Sequence, residues 1–232
     1  MAISYIVPTW FFGADIALEL IFLIITLTVG IISYKIYKIS KEKSMRSFST
    51  SFFFIAASYL AWMIINMIAL SRFQKYPYIF SIQEIFLIGA IGIYAHILLL
   101  TIGLITLAYA TLPKKDSRVY YLLLGLGLSA IVASTNKIIT FRVISVFLLS
   151  IVVYHFFIQW REHKNKNLFY SFIAFTLLLL SNLEFAFSTN YYQAYVIGHL
   201  FEFAAYSIIL RNLVKVTLMK KTYSNEQKKN KT

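Results

Sequence analysis

Four polar side chains in the last apolar stretch of the sequence recur with the period of an α-helix. Tyr195, His199, Glu202 and Tyr206 follow the spacing i, i+4, i+7 and i+11, which places all four on one helix face. At i, i+3, His199 and Glu202 are close enough to interact. A carboxyl group beside an imidazole can hold and release a proton. The spacing therefore predicts either a proton-handling site or polar contacts that hold helices together.

A second histidine, His96, lies on a face of small residues in an earlier apolar stretch. Gly89, Gly92, Gly103 and Thr106 share that face. Small residues allow two helix backbones to approach closely within a membrane. We therefore expect this face of the helix to pack against protein rather than lipid.

Polar residues in other apolar stretches complete the set of candidate site residues. Ionisable groups inside a membrane cost about 2.5–3.5 kcal/mol each on insertion scales, so they indicate function unless they only join helices. We predict a shared polar cavity that opens outward, lined by Glu19, Asn66, His96, Asn182, Glu184, His199 and Glu202. A bound metal ion would take its ligands from His96, His199 and Glu202.

The predicted outer half of the membrane collects five of the nine acidic residues, namely Asp15, Glu19, Glu84, Glu184 and Glu202. The same half of the predicted spans contains no basic residue. Carboxyl groups in such surroundings need a proton, a cation or a protonated histidine as partner.

The elements that carry these residues are apolar stretches long enough to cross a bilayer, which takes roughly 17–25 residues. Hydrophobic residues make up 59% of the 232 residues, charged residues only 13%, and the mean hydropathy is +0.72. This composition excludes a water-soluble enzyme, and the absence of cysteine excludes a disulfide scaffold. The continuous apolar runs also exclude the alternating pattern of a β-barrel. The predicted fold is an all-α integral membrane protein with seven transmembrane helices, at about 16–37, 47–71, 85–113, 119–136, 143–160, 168–189 and 191–210.

The loops differ sharply in basic charge. One set of alternate loops, together with the C-terminal region, holds 18 lysine and arginine residues, and the other set holds 4. The positive-inside rule places the basic set in the cytoplasm, so the N-terminus is expected outside and the C-terminus inside. The chain has a net charge of +13, and we expect its basic loop residues to contact anionic lipid headgroups at the cytoplasmic surface rather than nucleic acid. We expect a multi-pass protein of the cell membrane, with one domain over 1–221 and a flexible basic tail over 222–232.

The sequence also contains a candidate internal repeat. Tyr34 aligns with Tyr154 and Glu42 with Glu162 at an offset of 120, and His96 aligns with His199 at an offset of 103. Helices one to three would then repeat as helices five to seven in the same direction, with helix four as a linker. In topology, this three-one-three plan resembles opsin-like and SWEET-like proteins, uncharacterised archaeal-type seven-helix proteins, and the membrane input domains of some sensor kinases. A retinal opsin would carry a lysine in the middle of helix seven, and the first lysine of this helix is Lys215, near its cytoplasmic end.

These features favour a transporter of small solutes or ions coupled to protons. Three alternatives stay open: a ligand-sensing membrane receptor that acts through a partner, a metal or haem protein with histidine ligands, and a structural scaffold. No resident cofactor is expected under the leading hypothesis, and the metal or haem alternative would place its group on His96 and His199. The sequence contains neither a cysteine thiol nor a phosphate-binding loop, two features that would point to an enzyme. The sequence does not determine the oligomeric state.

Overall fold

The computed structural model describes residues 12–75, 82–113, 116–188 and 191–229; of residues 12, 69–75, 82–88, 192 and 216–229 it describes the backbone alone. Across these ranges the chain is helical and contains no strand. The helices are α1 (Phe12–Ser40), α2 (Lys43–Lys75), α3 (Ile82–Thr111), α4 (Ser117–Ala133), α5 (Lys137–His163), α6 (Lys166–Phe187) and α7 (Tyr192–Lys229).

Six of these helices are long and apolar enough to cross a membrane. The apolar segments are Gly13–Ser40, Lys43–Ile68, Gly89–Thr111, Lys137–His163, Lys166–Phe187 and Gln193–Lys215. The remaining helix, α4, has 17 residues and is apolar but shorter. Large hydrophobic side chains such as Ile24, Leu122 and Phe147 are exposed on the outside of the bundle, as expected of helices that face lipid. The protein is therefore an all-α, multi-pass membrane protein.

The helices extend beyond the uncharged stretches of the sequence. α5 begins at Lys137, six residues before the predicted span, because Asn136 caps it with a side-chain hydrogen bond to the Ile139 amide (3.2 Å). α7 continues to Lys229 and so includes residues 222–229 of the predicted tail. Lysine and arginine do not stop a helix, although they do end an apolar run.

Six helices close into a ring, in which each helix packs against its neighbours in the order α1, α2, α3, α5, α6, α7 and back to α1. α4 lies outside this ring and packs against α3 and α5. Both sets of three consecutive helices are therefore joined in the same way, first to second and second to third. The two seams between the sets are α1 with α7 and α3 with α5.

Close packing inside the first set depends on glycine and serine. A Cβ atom at Gly103 of α3 would lie 3.1 Å from the Ser51 carbonyl oxygen of α2 and 2.8 Å from the Ile55 side chain. The Ser49 hydroxyl of α2 donates to the Gly30 carbonyl of α1 over 2.8 Å. Gly92 also meets α2, so the prediction that this face of α3 packs against protein is confirmed for Gly92 and Gly103.

Candidate functional site: a buried polar cluster between the first and last helices

The N-terminal half of α1 packs against α7 and α2, and the interface between these helices holds most of the buried ionisable side chains in the ring. We call the following residues the polar cluster: Asp15 and Glu19 of α1, Tyr59 of α2, and Tyr195, His199, Glu202 and Tyr206 of α7. The carboxyl residues are almost fully buried, with exposed fractions of 1% for Asp15, 2% for Glu19 and 7% for Glu202. Buried carboxyl groups need polar partners, and the contacts described below supply them.

His199 contacts a carboxyl group through each ring nitrogen. Its Nε2 atom lies 3.0 Å from Asp15 Oδ1, and its Nδ1 atom lies 3.5 Å from Glu202 Oε2. The Tyr195 hydroxyl donates to the same Asp15 oxygen over 2.9 Å. The imidazole also stacks on Phe22 and meets Phe185 edge-on, so apolar rings surround its polar contacts. His199 therefore bridges a carboxyl group on α1 and another on its own helix.

Glu202 continues the chain of contacts to α2. The Tyr59 hydroxyl donates to Glu202 Oε1, and it lies 3.1 Å from the Tyr206 hydroxyl. His199, Glu202 and Tyr206 therefore share one face of α7, as their spacing predicted, and this face contacts α1 and α2. The polar contacts run without interruption from Asp15 through His199 and Glu202 to Tyr59 and Tyr206.

Glu19 lies one helical turn after Asp15 on the same face of α1. The Asn66 amide nitrogen donates to both Glu19 oxygens, at 3.0 and 3.1 Å. This bidentate contact joins α1 to α2 beside the polar cluster. The structure thus brings together Glu19 and Asn66, two of the predicted site residues, and places Glu19 near Asp15 and His199.

His96 of α3 packs against Tyr59, the residue that also contacts Glu202. Its Nδ1 atom lies 3.1 Å from the Ser58 carbonyl oxygen, and its ring packs against Tyr59 and Trp62. His96 and His199 are therefore connected through Tyr59 and Phe22. Among the described residues, no three histidine, aspartate or glutamate side chains are grouped closely enough to hold a metal ion.

Asn182 and Glu184 occupy α6, which packs against α7. The Asn182 amide donates to the Leu178 carbonyl over 3.0 Å, and its oxygen lies 3.4 Å from Arg142 Nη1. Glu184 is half-buried, and within the described part of the chain its carboxyl group makes no polar side-chain contact. The structure does not bring Glu184 to the polar cluster. The side chain of Glu84 lies outside the described part of the chain.

The position of Arg142 differs from one sequence prediction. The sequence predicted no basic residue within the spans of this half of the bundle, because the fifth span was taken to start at Val143. α5 starts at Lys137, so Arg142 lies inside the helix and its guanidinium reaches α6. The capping residue Asn136 was the sequence signal that would have extended the helix to include it.

A small cavity lies beside Glu202. Its volume is about 20 Å³, which is room for about one water molecule. Glu202, Tyr206 and Asn182 supply polar atoms to its wall, and the remaining lining residues, such as Leu104 and Leu178, are apolar. Two of the seven residues predicted to line a polar cavity, Asn182 and Glu202, are among the residues that line this one.

No protein-family model, curated protein or solved structure matches the chain. The class of protein therefore follows from the fold and the site alone. It is an all-α, multi-pass membrane protein with a ring of six long helices and a buried polar cluster.

Proposed function

We propose that this protein is a transporter of small solutes or ions that is coupled to protons, and that the polar cluster holds the proton. The observation that carries this proposal is the unbroken series of contacts from Asp15 through His199 and Glu202 to Tyr59. Carboxyl, imidazole and phenol groups can each give and accept a proton. A series of such groups within a membrane is what a proton relay requires.

The charges of the buried groups support this proposal. Asp15, Glu19 and Glu202 provide three carboxyl groups to the polar cluster, whereas His199 provides at most one positive charge. The buried set is neutral only when it holds two further protons or cations. Because an uncompensated charge in a low-dielectric interior is costly, the set has a physical reason to bind a proton and to change its packing when the proton leaves.

The direction of the relay follows from the proposed topology. With α4 as a seventh span, the N-terminus lies outside, and the N-terminal end of α1 faces the outer solution. Asp15 lies about 5 Å along α1 from its first residue, and Glu202 lies about 15 Å along α7 from its first residue. The relay would then lead from near the outer surface to the middle of the membrane, where it meets the small cavity beside Glu202. With only six spans the strongly basic loops would fall on both sides of the membrane, against the positive-inside rule.

The proposed internal repeat supports a transporter as well. The ring joins α1, α2 and α3 in the same order as α5, α6 and α7, and α4 connects the two sets from outside. Parallel repeats of this kind occur in transporters that move one half against the other around a central site. The two seams, α1 with α7 and α3 with α5, are where such a movement would occur. The polar cluster lies at the first seam.

A receptor that signals through a partner is the second candidate, and the length of α7 favours it. This helix carries His199 and Glu202 in its apolar segment, which ends at Lys215, and it continues for 14 more residues to Lys229. The extension reaches roughly 20 Å beyond the apolar segment. A change of protonation at Glu202 would thus act on a helix that projects from the membrane on the proposed cytoplasmic side.

Reconstitution in proteoliposomes tests the proposed function. An imposed pH gradient, acid outside, should drive proton entry into vesicles with the wild-type protein, and Glu202→Gln should abolish it because glutamine cannot titrate. Glu184→Gln is the matched control on the neighbouring helix, and it should retain proton entry. A panel of labelled solutes and metal ions, with an absorption spectrum of the purified protein, tests the other classes in the same preparation. Equal proton entry in wild type and Glu202→Gln would refute the proton relay, and a haem absorption band would replace it with the haem alternative.

A further inference from the structure

Helices α5 and α6 pack against each other along what we call the α5–α6 seam, and both helices carry buried hydrogen-bond donors that have no partner within the described part of the chain. Ser145 of α5 and Ser181 of α6 are 1% and 0% exposed, and neither hydroxyl makes a hydrogen bond within the described part of the chain. The same holds for Arg142 Nε, which is also removed from solvent. Unpartnered buried polar groups are rare in proteins, and each calls for an explanation such as a bound ion or ligand. Here three such groups lie on two helices that pack against each other.

Arg142 dominates the charge of this seam. The nearest polar atom recorded for its guanidinium is Asn182 Oδ1, at 3.4 Å, and among the described residues no carboxyl group lies within 4.0 Å of it. Its other neighbours are the faces of Phe185, 4.6 Å from Cζ, and Phe141, at 5.1 Å. An arginine is always charged and is suited to bind a carboxylate with two parallel hydrogen bonds. A guanidinium that has no carboxyl group of the described residues within 4.0 Å is suited to bind an anion from outside the chain.

We propose that the α5–α6 seam binds a small monocarboxylate, and that this anion is the solute carried with the proton of the polar cluster. The proposal rests on the proposed function. Arg142 would hold the carboxylate, and the hydroxyl groups of Ser145 and Ser181 would donate further hydrogen bonds to it. Phe141 and Phe185 would pack against the short apolar part of the molecule. A single negative charge matches the single unpaired guanidinium.

The seam is physically connected to the polar cluster. Asn182, which contacts Arg142, lines the small cavity together with Glu202. Phe185 contacts both the Arg142 guanidinium and the His199 ring, at 4.6 and 4.8 Å from its centroid. Joint binding of one proton at the polar cluster and one anion at Arg142 adds no net charge to the interior. The pair can therefore cross the membrane at a lower electrostatic cost than either ion alone.

Thermal unfolding of the purified protein in detergent tests the anion site without any need for transport. Pyruvate, lactate and glycolate are the probes, with chloride, nitrate and ethylammonium at equal ionic strength as controls. A ligand that binds only the folded state raises the unfolding temperature in a dose-dependent way. We expect the three carboxylates to stabilise the wild type, and Arg142→Gln to weaken their apparent affinity about 10- to 100-fold, as expected for charge-assisted hydrogen bonds. Lys137→Gln removes the same charge five residues earlier on α5 and should leave the carboxylate response unchanged.

The outcomes of this experiment separate the two proposals. If no carboxylate stabilises the wild type more than chloride does, the anion site is refuted, while proton entry into proteoliposomes still stands as its own test. If carboxylates stabilise the protein and proton entry is absent, the site stands and the proposed transport fails. The Glu202→Gln variant should still bind carboxylates, but its affinity for them should no longer change with pH, because glutamine does not titrate. If phosphate-containing lipid, added to the detergent, abolishes the carboxylate response at Arg142, the guanidinium binds a lipid headgroup and the monocarboxylate proposal is wrong.

Discussion

Removal of a single hydroxyl group, that of Tyr59, should break the polar contacts of α2 with Glu202 and Tyr206. In the structure this hydroxyl donates to Glu202 and lies 3.1 Å from the Tyr206 hydroxyl, so it links α2 directly to α7. Tyr59 is 4% exposed, and Phe22, His96 and Tyr206 pack around its ring. Tyr59→Phe keeps the ring and its packing and deletes only the polar contacts.

The expected loss of stability follows from those two contacts. Hydrogen bonds between transmembrane helices contribute about 0.6 kcal/mol on average and at most about 1.7 kcal/mol. Glu202 keeps its contact with His199 in the variant, whereas the Tyr206 hydroxyl loses its partner on α2. We therefore expect Tyr59→Phe to reduce the free energy of unfolding by about 1–2 kcal/mol, which corresponds to roughly 2–4 °C in unfolding temperature for each kcal/mol in a protein of this size.

Thermal unfolding in detergent, followed by circular dichroism, measures this loss. Tyr94→Phe is the matched control, because Tyr94 is 43% exposed on the outside of α3, and its substitution should change stability by less than about 0.5 kcal/mol. Equal unfolding temperatures for the two variants would show that the Tyr59 hydroxyl does not join α2 to α7, and the described geometry of the polar cluster would be wrong.

Two further predictions concern packing and topology. Gly103→Ala should destabilise the protein by about 1–3 kcal/mol, because its Cβ would meet the backbone of α2; Gly125→Ala on α4, where no atom lies within 4 Å, should be neutral or slightly stabilising, and thermal unfolding of both variants checks this. Single cysteines test the seven-span topology cleanly, because the chain has none. A cysteine at Thr135, between α4 and α5, should react with an impermeant maleimide added outside cells, and one at His163 should react only after the membrane is opened. The reverse pattern would invert the proposed orientation, and reaction of both from outside would contradict it.

The sequence was sufficient to predict the helical membrane fold and one face of the site. Apolar runs bounded by lysine and arginine mark membrane helices, because few charged residues are tolerated in lipid. The spacing of His199, Glu202 and Tyr206 gave one face of α7, since a regular helix fixes which side chains point the same way. The small residues of α3 gave its contact with α2 for the same reason.

The partners of that face could not be predicted from spacing. Which helix lies opposite His199 depends on how the ring closes. Because α1 packs against α7, Asp15 contacts His199, although the two residues are 184 positions apart in the chain. Asp15 was recognised as polar, yet only the ring shows that it contacts His199 and Tyr195. Glu184 was predicted to line the same cavity as His199, yet within the described part of the chain its carboxyl group makes no polar side-chain contact.

The central claim is that the polar cluster holds a proton that depends on Glu202. Infrared difference spectra, recorded in lipid membranes between two pH values, measure the protonation of buried carboxyl groups directly through the carbonyl stretch of the acid form. The proposed function predicts a pH-dependent carboxyl band that resists exchange with heavy water in the wild type, persists in Glu184→Gln and is lost or reduced in Glu202→Gln. Identical spectra for wild type and Glu202→Gln would contradict it, and the polar cluster would then be a set of contacts that joins α1, α2 and α7 without handling a proton.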